Sequence, residues 1–562
     1  MRGLVKWTRT AEDEAIPEYT RLECTGTRTV AVDRWNDLWV GGLDNRIHQK
    51  IDGLTASTVP GSAFSTNAGG YGGVIDANGT FWSVSHSPFS QSGTLRLPSP
   101  TVPPANWEVR STGDTDVDGK LYGIALDPVR PYLWQTAEDI VFCWNTNGTP
   151  RTNANGLMTF AHGDPKARGL VVETNGHVWV AHGHDEYRET VGHLNANGDW
   201  VGNLTLATNG LAATYFANTN CEPPAVLAGL EGPVDFAATN NWPGAPVPTN
   251  GFSVRWVGEV RTRYSGVHSF FVSADAGAGF RLFIVVGGAQ TQLIDNWNGQ
   301  AQGEISGTQV LTGNTNYRVR LEYWSTSGVP QVRLSWQEPD QAKTVLPLSQ
   351  LVQRGITPTG LSVDTEGFLW VGCRDSHSLL RIDPQAGPTV TNSGVVSRLG
   401  SVDRVVDLGY RDDFPYPYDD PARPYNYSDM TGFNNRIINP SSQPLKGYWT
   451  VIEDSGMAGL VWDRIIWVAP GSGSGAVEVW ARAADERLAL ASEPFLATAN
   501  GAVLYGLEGR FVEVRVGLRR SAPSNFVALE SLTLHGLTSG FAGSRPSRTS
   551  RWVKAMMPRS PP

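Results

Sequence analysis

A short pattern recurs along this chain at a nearly fixed period, stops, and resumes in phase after a long interruption. An acid, a turn and an aliphatic-Trp strand appear as Val32-Asp33 to Leu38-Trp39-Val40, Ile75-Asp76 to Phe81-Trp82-Ser83, and Leu126-Asp127 to Leu133-Trp134. They return as Val172-Glu173 to Val178-Trp179-Val180 and as Val363-Asp364 to Leu369-Trp370-Val371. The offset from acid to Trp is 6, 6, 7, 6 and 6 residues, and successive acids lie 43, 51, 46 and then 191 residues apart. Removing a block from about Ala207 to Gly355 brings the last gap into line with the others. One repeat architecture has taken up a second domain.

Self-similarity at 40 to 50 residues, with short β-rich units and Trp at a fixed place, predicts propeller blades of four antiparallel strands. The fourth unit shows them best: Gly169 to Glu173, His177 to Ala181, Thr190 to Asn195 and Asp199 to Leu206. Turn pairs such as Asn175-Gly176 supply the positive φ that tight hairpins need. The 62 Gly and 36 Pro in 562 residues fit a chain of turns rather than of long helices. Five units are visible, and residues 1–20 and 387–409 are expected to supply closing strands, for five or six blades.

A net charge of −9 argues against a general nucleic-acid surface. Cys24, Cys143, Cys221 and Cys373 are far apart with no CxxC pair, so they read as buried small hydrophobes and not as a zinc ribbon or bridges. No run of 18 apolar residues suggests a transmembrane helix. The start, Met1 to Trp7, shows no secretory signal, and the expectation is that the natural N-terminus lies further upstream. The oligomeric state is not legible.

The insert alternates apolar and polar residues over strand-length runs, the pattern of a β-sandwich. These include Gly210 to Phe216, Phe252 to Val260, Ser265 to Phe270, Arg281 to Ile284, Ile294 to Trp297, Tyr317 to Trp324 and Val332 to Trp336. Along its whole length, about 210–352, this block resembles the PA14 domain family, β-sandwich modules of bacterial toxins, glycosidases and fungal adhesins, several of which bind sugars. In the sugar-binding members an Asp-Asp pair followed by Gly holds Ca²⁺, a hard cation suited to oxygen ligands. The matching stretch here keeps Asp275 but has Ala276 in place of the second Asp. Asp275 is thus either a calcium ligand or a turn residue accepting from nearby amides. Asp295 and Trp297 lie in the family's Ile-Asp-x-Trp run, as a structural turn with a packed indole or as a stacking platform for a sugar face.

The repeat units, Thr359 to Gly372 above all, resemble blades of the NHL and streptogramin-lyase type, which establishes a fold and not an activity. Their acid is expected to cap the hairpin turn and their Trp to pack between blades. Antiparallel strands would put the loops before the first strand and after the second on one face. That face would collect His162 and Asp164, His182, His184, Asp185 and Glu186, with Asp44, His86, Glu138, Asp139, Asp375 and His377 from other units. His182, His184 and Asp185 read as a metal or acid/base cluster, or alternatively as solvated loop residues.

The expected division is 1–206 for the first part of the propeller, 207–355 for the insert, 356–409 for the last blade and closure, and 410–426 for a linker. A C-terminal β-sandwich or jelly-roll-like domain should occupy 427–540. The linker's Asp412, Asp413, Asp419 and Asp420 are weak Ca²⁺ candidates, and the basic tail, 541–562, holds too little apolar surface to order itself. Together these features suggest a secreted or surface-displayed protein that binds glycan or another cell-envelope polymer, with calcium as the candidate cofactor. A metal-assisted propeller lyase or hydrolase is the first alternative, and a structural part of a surface assembly the second.

Overall fold

Alternating patterns and frequent turn residues produce an all-β chain in the computed structural model. It describes residues 3–9, 15–53, 55–86, 93–98, 102–183, 188–236, 244–301, 303–326, 329–364, 366–392, 394–408, 410–411, 420–421, 423–425, 445–469, 476–521, 527–537 and 547–556. Among these, α-helix is confined to one turn, Thr115–Asp118.

Each sequence unit folds into an antiparallel sheet of four strands in chain order. The first comprises Thr27–Val32, Leu38–Gly42, Ile47–Ile51 and Phe64–Ser65. The second comprises Gly73–Ile75, Phe81–Ser83, Thr94–Leu97 and Glu108–Arg110. Leu121–Leu126, Tyr132–Ala137, Ile140–Asn145 and Pro150–Arg151 form the third, with Thr159–Phe160 added beside its third strand. The fourth is Ala167–Val172, Val178–His182, Thr190–Leu194 and Trp200–Thr205. The fifth is Pro358–Val363, Leu369–Cys373, Ser378–Asp383 and Ser401–Asp407. Their first strands neighbour one another in succession, from first sheet to fifth. Glycine permits the close approach: a Cβ on Gly169 would lie 2.5 Å from the Thr359 carbonyl oxygen of the next sheet.

In the four units where it is Asp, the recurring acid accepts hydrogen bonds from the amides of the turn that follows it. Asp76 accepts from Asn78 and Thr80 at 2.9 and 3.0 Å, and Asp364 from Glu366 and Phe368 at 2.9 Å each. In three units the offset of six brings the indole N–H back to the same carboxylate: Trp82 to Asp76 at 2.9 Å, Trp179 to Glu173 at 2.6 Å, and Trp370 to Asp364 at 2.9 Å, whereas Nε1 of Trp39 and of Trp134 makes no hydrogen bond. Trp39, Trp82, Trp134 and Trp179 are fully buried. Truncating any of them should cost roughly 3–5 kcal/mol.

The interruption is possible because the two ends of the insert meet. Ala207–Asn209 pairs antiparallel with Leu351–Arg354, and Gly355 N–H donates to the Leu206 carbonyl at 2.6 Å. The fifth sheet therefore resumes beside the fourth. Between these ends stands a sandwich. One sheet is built on Phe252–Arg261, Asn316–Ser325, Gly279–Val286 and Ala289–Asn296, the other on Val332–Gln337, Gly266–Ala274 and Glu304–Leu311. Phe252, Val254, Trp256, Leu282, Leu321 and Tyr323 of the first face Phe270, Val272, Leu334 and Trp336 of the second in one core.

Beyond the repeats, Lys446–Asp454, Phe511–Arg519, Val477–Ala484 and Leu496–Thr498 form a sheet that shares a core with Val461–Val468 and Ala528–Leu537. Three expectations need correction. Residues 3–9 and 15–21 pair with each other as a hairpin and add no strand to the described repeat sheets. Within 387–409, Thr389–Asn392 and Val395–Arg398 form their own hairpin, while Ser401–Asp407 completes the fifth sheet instead of starting another. The tail is not wholly without structure, because Ser547–Met556 pairs along Ala528–Leu537, whose open edge supplies backbone partners that require no core of the tail's own. All four cysteines are buried and free.

Candidate functional site

At the end of Gly266–Ala274 the chain turns at Asp275, whose carbonyl accepts from Ala278 N–H at 3.1 Å. The Asp275 carboxylate points into the sandwich. It accepts from Ser325 Oγ at 2.7 Å, from Gln331 N–H at 3.1 Å and from the Tyr323 hydroxyl. Burial, followed by that carboxylate, pushes the Tyr323 phenol far up, so its hydroxyl stays a donor. Three protein donors thus engage the carboxylate, and a calcium ion would have to compete with them. Its neighbour Ala276 offers no side-chain oxygen.

Asp295 is exposed and accepts from the Trp297 amide at 3.1 Å, fixing the turn that presents the half-buried indole. The Trp297 carbonyl accepts from Trp324 Nε1 at 2.9 Å, and the two rings meet edge to face with centroids 6.5 Å apart. The Arg281 guanidinium lies 4.2 Å from the Trp297 centroid, and that of Arg320 4.3 Å from the Phe283 centroid. Trp297, Arg281, Phe283 and Arg320 therefore form an aromatic and cationic shelf on the outward side of this sheet.

The shelf is anchored by Glu322, which lies in register with Arg255 on one side and Arg281 on the other. Arg255 Nε is 2.6 Å from its carboxylate, Arg320 Nε is 3.8 Å away, and Arg281 closes a third ion pair. Burial alone would raise the Glu322 pKa, but Arg255, Arg320 and Arg281 outweigh it and hold the carboxyl below its usual range.

A second constellation, not singled out from sequence, lies where the first strands meet. The position three residues before the partner of each Trp is Arg28, Tyr71, Tyr122, Arg168 and Thr359 in sheets one to five. Arg28 donates to the Tyr71 hydroxyl at 3.2 Å, the Tyr71 and Tyr122 centroids are 5.0 Å apart, and the Arg168 guanidinium sits 3.9 Å from the Tyr122 centroid. His86 packs on both tyrosines, at 4.8 and 4.4 Å. Residues 424 and 425 reach back to this cluster. The Pro424 carbonyl accepts from Thr359 at 3.2 Å, and the Tyr425 hydroxyl is 3.5 Å from that of Tyr122. Burial, then Tyr425, pushes the Tyr122 phenol up to about 12.

Of the loop residues picked out from sequence, His162, Asp164 and His182 come together. His182 Nε2 is 3.1 Å from His162 Nδ1, its Nδ1 is 3.2 Å from Thr190 Oγ1, and Thr190 donates to Asp164 at 2.6 Å. His182 is fully buried, and burial, with His162 next, lowers its pKa to about 3. Asp375 instead pairs with Arg374 at 3.1 Å and with Arg423 at 2.6 Å. Glu138 pairs with Lys166 and Lys120 at 3.6 and 3.8 Å. His184, Asp185 and Glu186 lie outside the described residues, as do Asp412, Asp413 and Asp419.

The family described as PA14 domain matches residues 207–350. Anti-sigma-I factor RsgI3 of Acetivibrio thermocellus is 28% identical over 144 residues, covering 25% of this chain and 21% of that protein. This chain therefore spans about a fifth of that relative's length. Among solved structures, an anti-sigma factor domain-containing protein from Clostridium clariflavum aligns over 63% of this chain and 98% of its own, with 17% identity and a TM-score of 0.24. The PA14 sugar-binding domain from an RTX adhesin aligns over 26% of this chain and 99% of its own, with 17% identity and a TM-score of 0.22. Epithelial adhesin 6 A domain from Candida glabrata, in complex with Galb1-3GlcNAc, aligns over 27% and 89%, with 14% identity and a TM-score of 0.22. Among the described residues no helix is long and apolar enough to cross a membrane.

Proposed function

We propose that this chain is a glycan-binding protein of the cell surface or extracellular space. In this reading the PA14 sandwich supplies the sugar contact, and the five repeat sheets are blades of a propeller that carries it. The observation behind it is the shelf of Trp297 and Arg281 on a PA14 sandwich. An indole packs on the apolar C–H face of a pyranose, while a neighbouring guanidinium donates to hydroxyl or carboxylate oxygens. Because Asp275 is engaged by Tyr323, Ser325 and Gln331, the proposal puts recognition on the aromatic shelf and not on calcium.

The test is a glycan array probed with the full chain and with Trp297→Ala, each in Ca²⁺ and in EDTA. Hits that persist in EDTA and vanish in the variant are expected. A blank array with folded protein sinks the reading, and calcium-dependent hits that survive Trp297→Ala would return the site to Asp275.

A sensing role is the second reading, favoured by the match to an anti-sigma-I factor over 144 residues. There the same sugar contact would serve as an input signal. Acid/base catalysis by His182, His184 and Asp185 has weaker support, since His162 and Thr190 already occupy both ring nitrogens of the buried His182.

A further inference from the structure

The first, second, third and fifth repeat sheets place a cation at the indole, and the fourth departs from this arrangement. In the first, second and fifth sheets the strand partner of the Trp is a cation: Lys50 opposite Trp39, Arg96 opposite Trp82, and Arg381 opposite Trp370. Lys50 Nζ lies 2.9 Å from the recurring acid Asp33 and 3.0 Å from Asp37. Arg96 and Arg381 lie over their indoles, at 5.3 and 5.9 Å from the centroids. In the third sheet Cys143 takes the partner position, and Arg151 of the neighbouring strand covers Trp134 at 5.0 Å. A cation thus lies over or opposite the indole in each of these four sheets, and in the first it also pairs with the recurring acid Asp33.

In the fourth sheet the partner of Trp179 is His193, stacked flat on the indole with centroids 3.8 Å apart and planes 10° apart. His193 Nε2 is 2.7 Å from Nδ1 of His177, which follows the turn capped by Glu173. Two ring nitrogens at that distance share one proton, so they cannot both be protonated. Glu173 is buried and held by the Trp179 N–H, with Asn175 Nδ2 3.3 Å from its other oxygen. The cation present in the other units has been replaced here by two imidazoles. One ligand atom from each of Glu173, His177 and His193 lies within 4.8 Å of the other two.

We propose that Glu173, His177 and His193 form a binding site for a divalent transition-metal ion, which supplies the positive charge that a Lys or Arg supplies in the other sheets. Two imidazole nitrogens and one carboxylate oxygen suit a zinc-type ion and leave a fourth position for water. Glu173 and His193 are fixed by the indole between them, while half-buried His177 gives solvent access. Coordination replaces the His177–His193 hydrogen bond with two metal–nitrogen bonds, and the shared proton moves to the other nitrogen of its own ring, so that each neutral imidazole keeps one N–H facing away from the metal. The site lies at the opposite end of the strand Val178–His182 from His182, and is separate from that cluster.

The test uses the full chain, stripped with EDTA, dialysed and titrated with Zn²⁺, with metal content and thermal midpoint as readouts. Uptake of one Zn²⁺ per chain with a rise in midpoint is expected for the parent. Two variants should lose both: His177→Ala, which changes a half-buried turn residue, and His193→Arg, which restores the cation of the other sheets. Circular dichroism checks that each variant folds, and His177→Ala decides alone if the buried substitution does not. Absence of saturable uptake in the parent, or unchanged uptake in a folded variant, overturns the proposal.

Discussion

The guanidinium of Arg168 lies 3.9 Å from the centroid of the Tyr122 ring, and no acidic side chain among the described residues pairs with it. It is 2% exposed, its Nε makes no hydrogen bond, and its Nη1 reaches only the Ala167 carbonyl at 3.4 Å. A buried cation compensated chiefly by an aromatic face costs stability relative to an apolar chain of similar length. Arg168→Met should therefore be neutral or stabilising by about 1 kcal/mol in urea denaturation. A loss above about 2 kcal/mol would show that the cation–π contact outweighs the desolvation of the charge.

Asp76→Ala should have the opposite sign. The Asp76 carboxylate accepts from the amides of Asn78 and Thr80 and from Trp82 Nε1, and the residue is 4% exposed. Removing it leaves these donors unpaired in a turn that sets the register of the second sheet. A loss of roughly 2–5 kcal/mol is expected in equilibrium denaturation. A change below about 1 kcal/mol would mean that water or the backbone replaces the carboxylate freely.

These two positions also show what the sequence reveals and what it hides. Asp76 and Trp82 are legible because their chemistry is local: a turn cap and an indole six residues later recur as the same letters. Arg168 is not, because the equivalent positions are Arg28, Tyr71, Tyr122 and Thr359, which share a place in the strand but not one residue type. Only the register opposite each Trp identifies them as equivalent positions. Asp275 could be picked out from its family stretch, yet its donors Ser325 and Gln331 arrive from 50 and 56 residues away. His193 is not legible for a related reason, since its meaning depends on Lys50, Arg96 and Arg381 occupying the same place elsewhere.

Acid should weaken the fold earlier than carboxylate titration alone would require. Burial lowers His48 and His182 to about 3, from an ordinary value of 6.5. Their neutral forms contribute stability that is fully present above pH 6.5 and is lost as pH falls toward 3, because the unfolded chain takes up the protons first. Each should remove about 1.4 kcal/mol per pH unit within that window. Asp33, Asp76 and Glu231, raised by burial, act with the opposite sign, gaining stability as pH falls through the carboxylate range. Urea midpoints at pH 7.5, 6.5 and 5.5 should fall below pH 6.5, and less steeply in His48→Gln. A flat profile would show that both rings protonate without unfolding.

The shelf at Trp297 depends on a carboxylate that does not touch that ring. Glu322 is 0% exposed and sits among Arg255, Arg281 and Arg320, each of which also packs on an aromatic ring or pairs with this acid. Deleting it in Glu322→Ala leaves three neighbouring guanidinium groups without their shared counter-charge, and breaking such a group should cost about 3–5 kcal/mol. Glu322→Gln keeps the shape and an acceptor oxygen but loses the charge, so it should fall between the parent and the alanine variant. Released from Glu322, Arg281 no longer has a fixed position over Trp297, and under the proposed function glycan retention should fall in step with stability. Measuring both in Arg281→Ala separates the two effects: weakened retention at near-parent stability would show that the guanidinium itself contacts sugar. Unchanged retention would leave the indole as the sole platform and reduce the Glu322 cluster to a brace for the sheet.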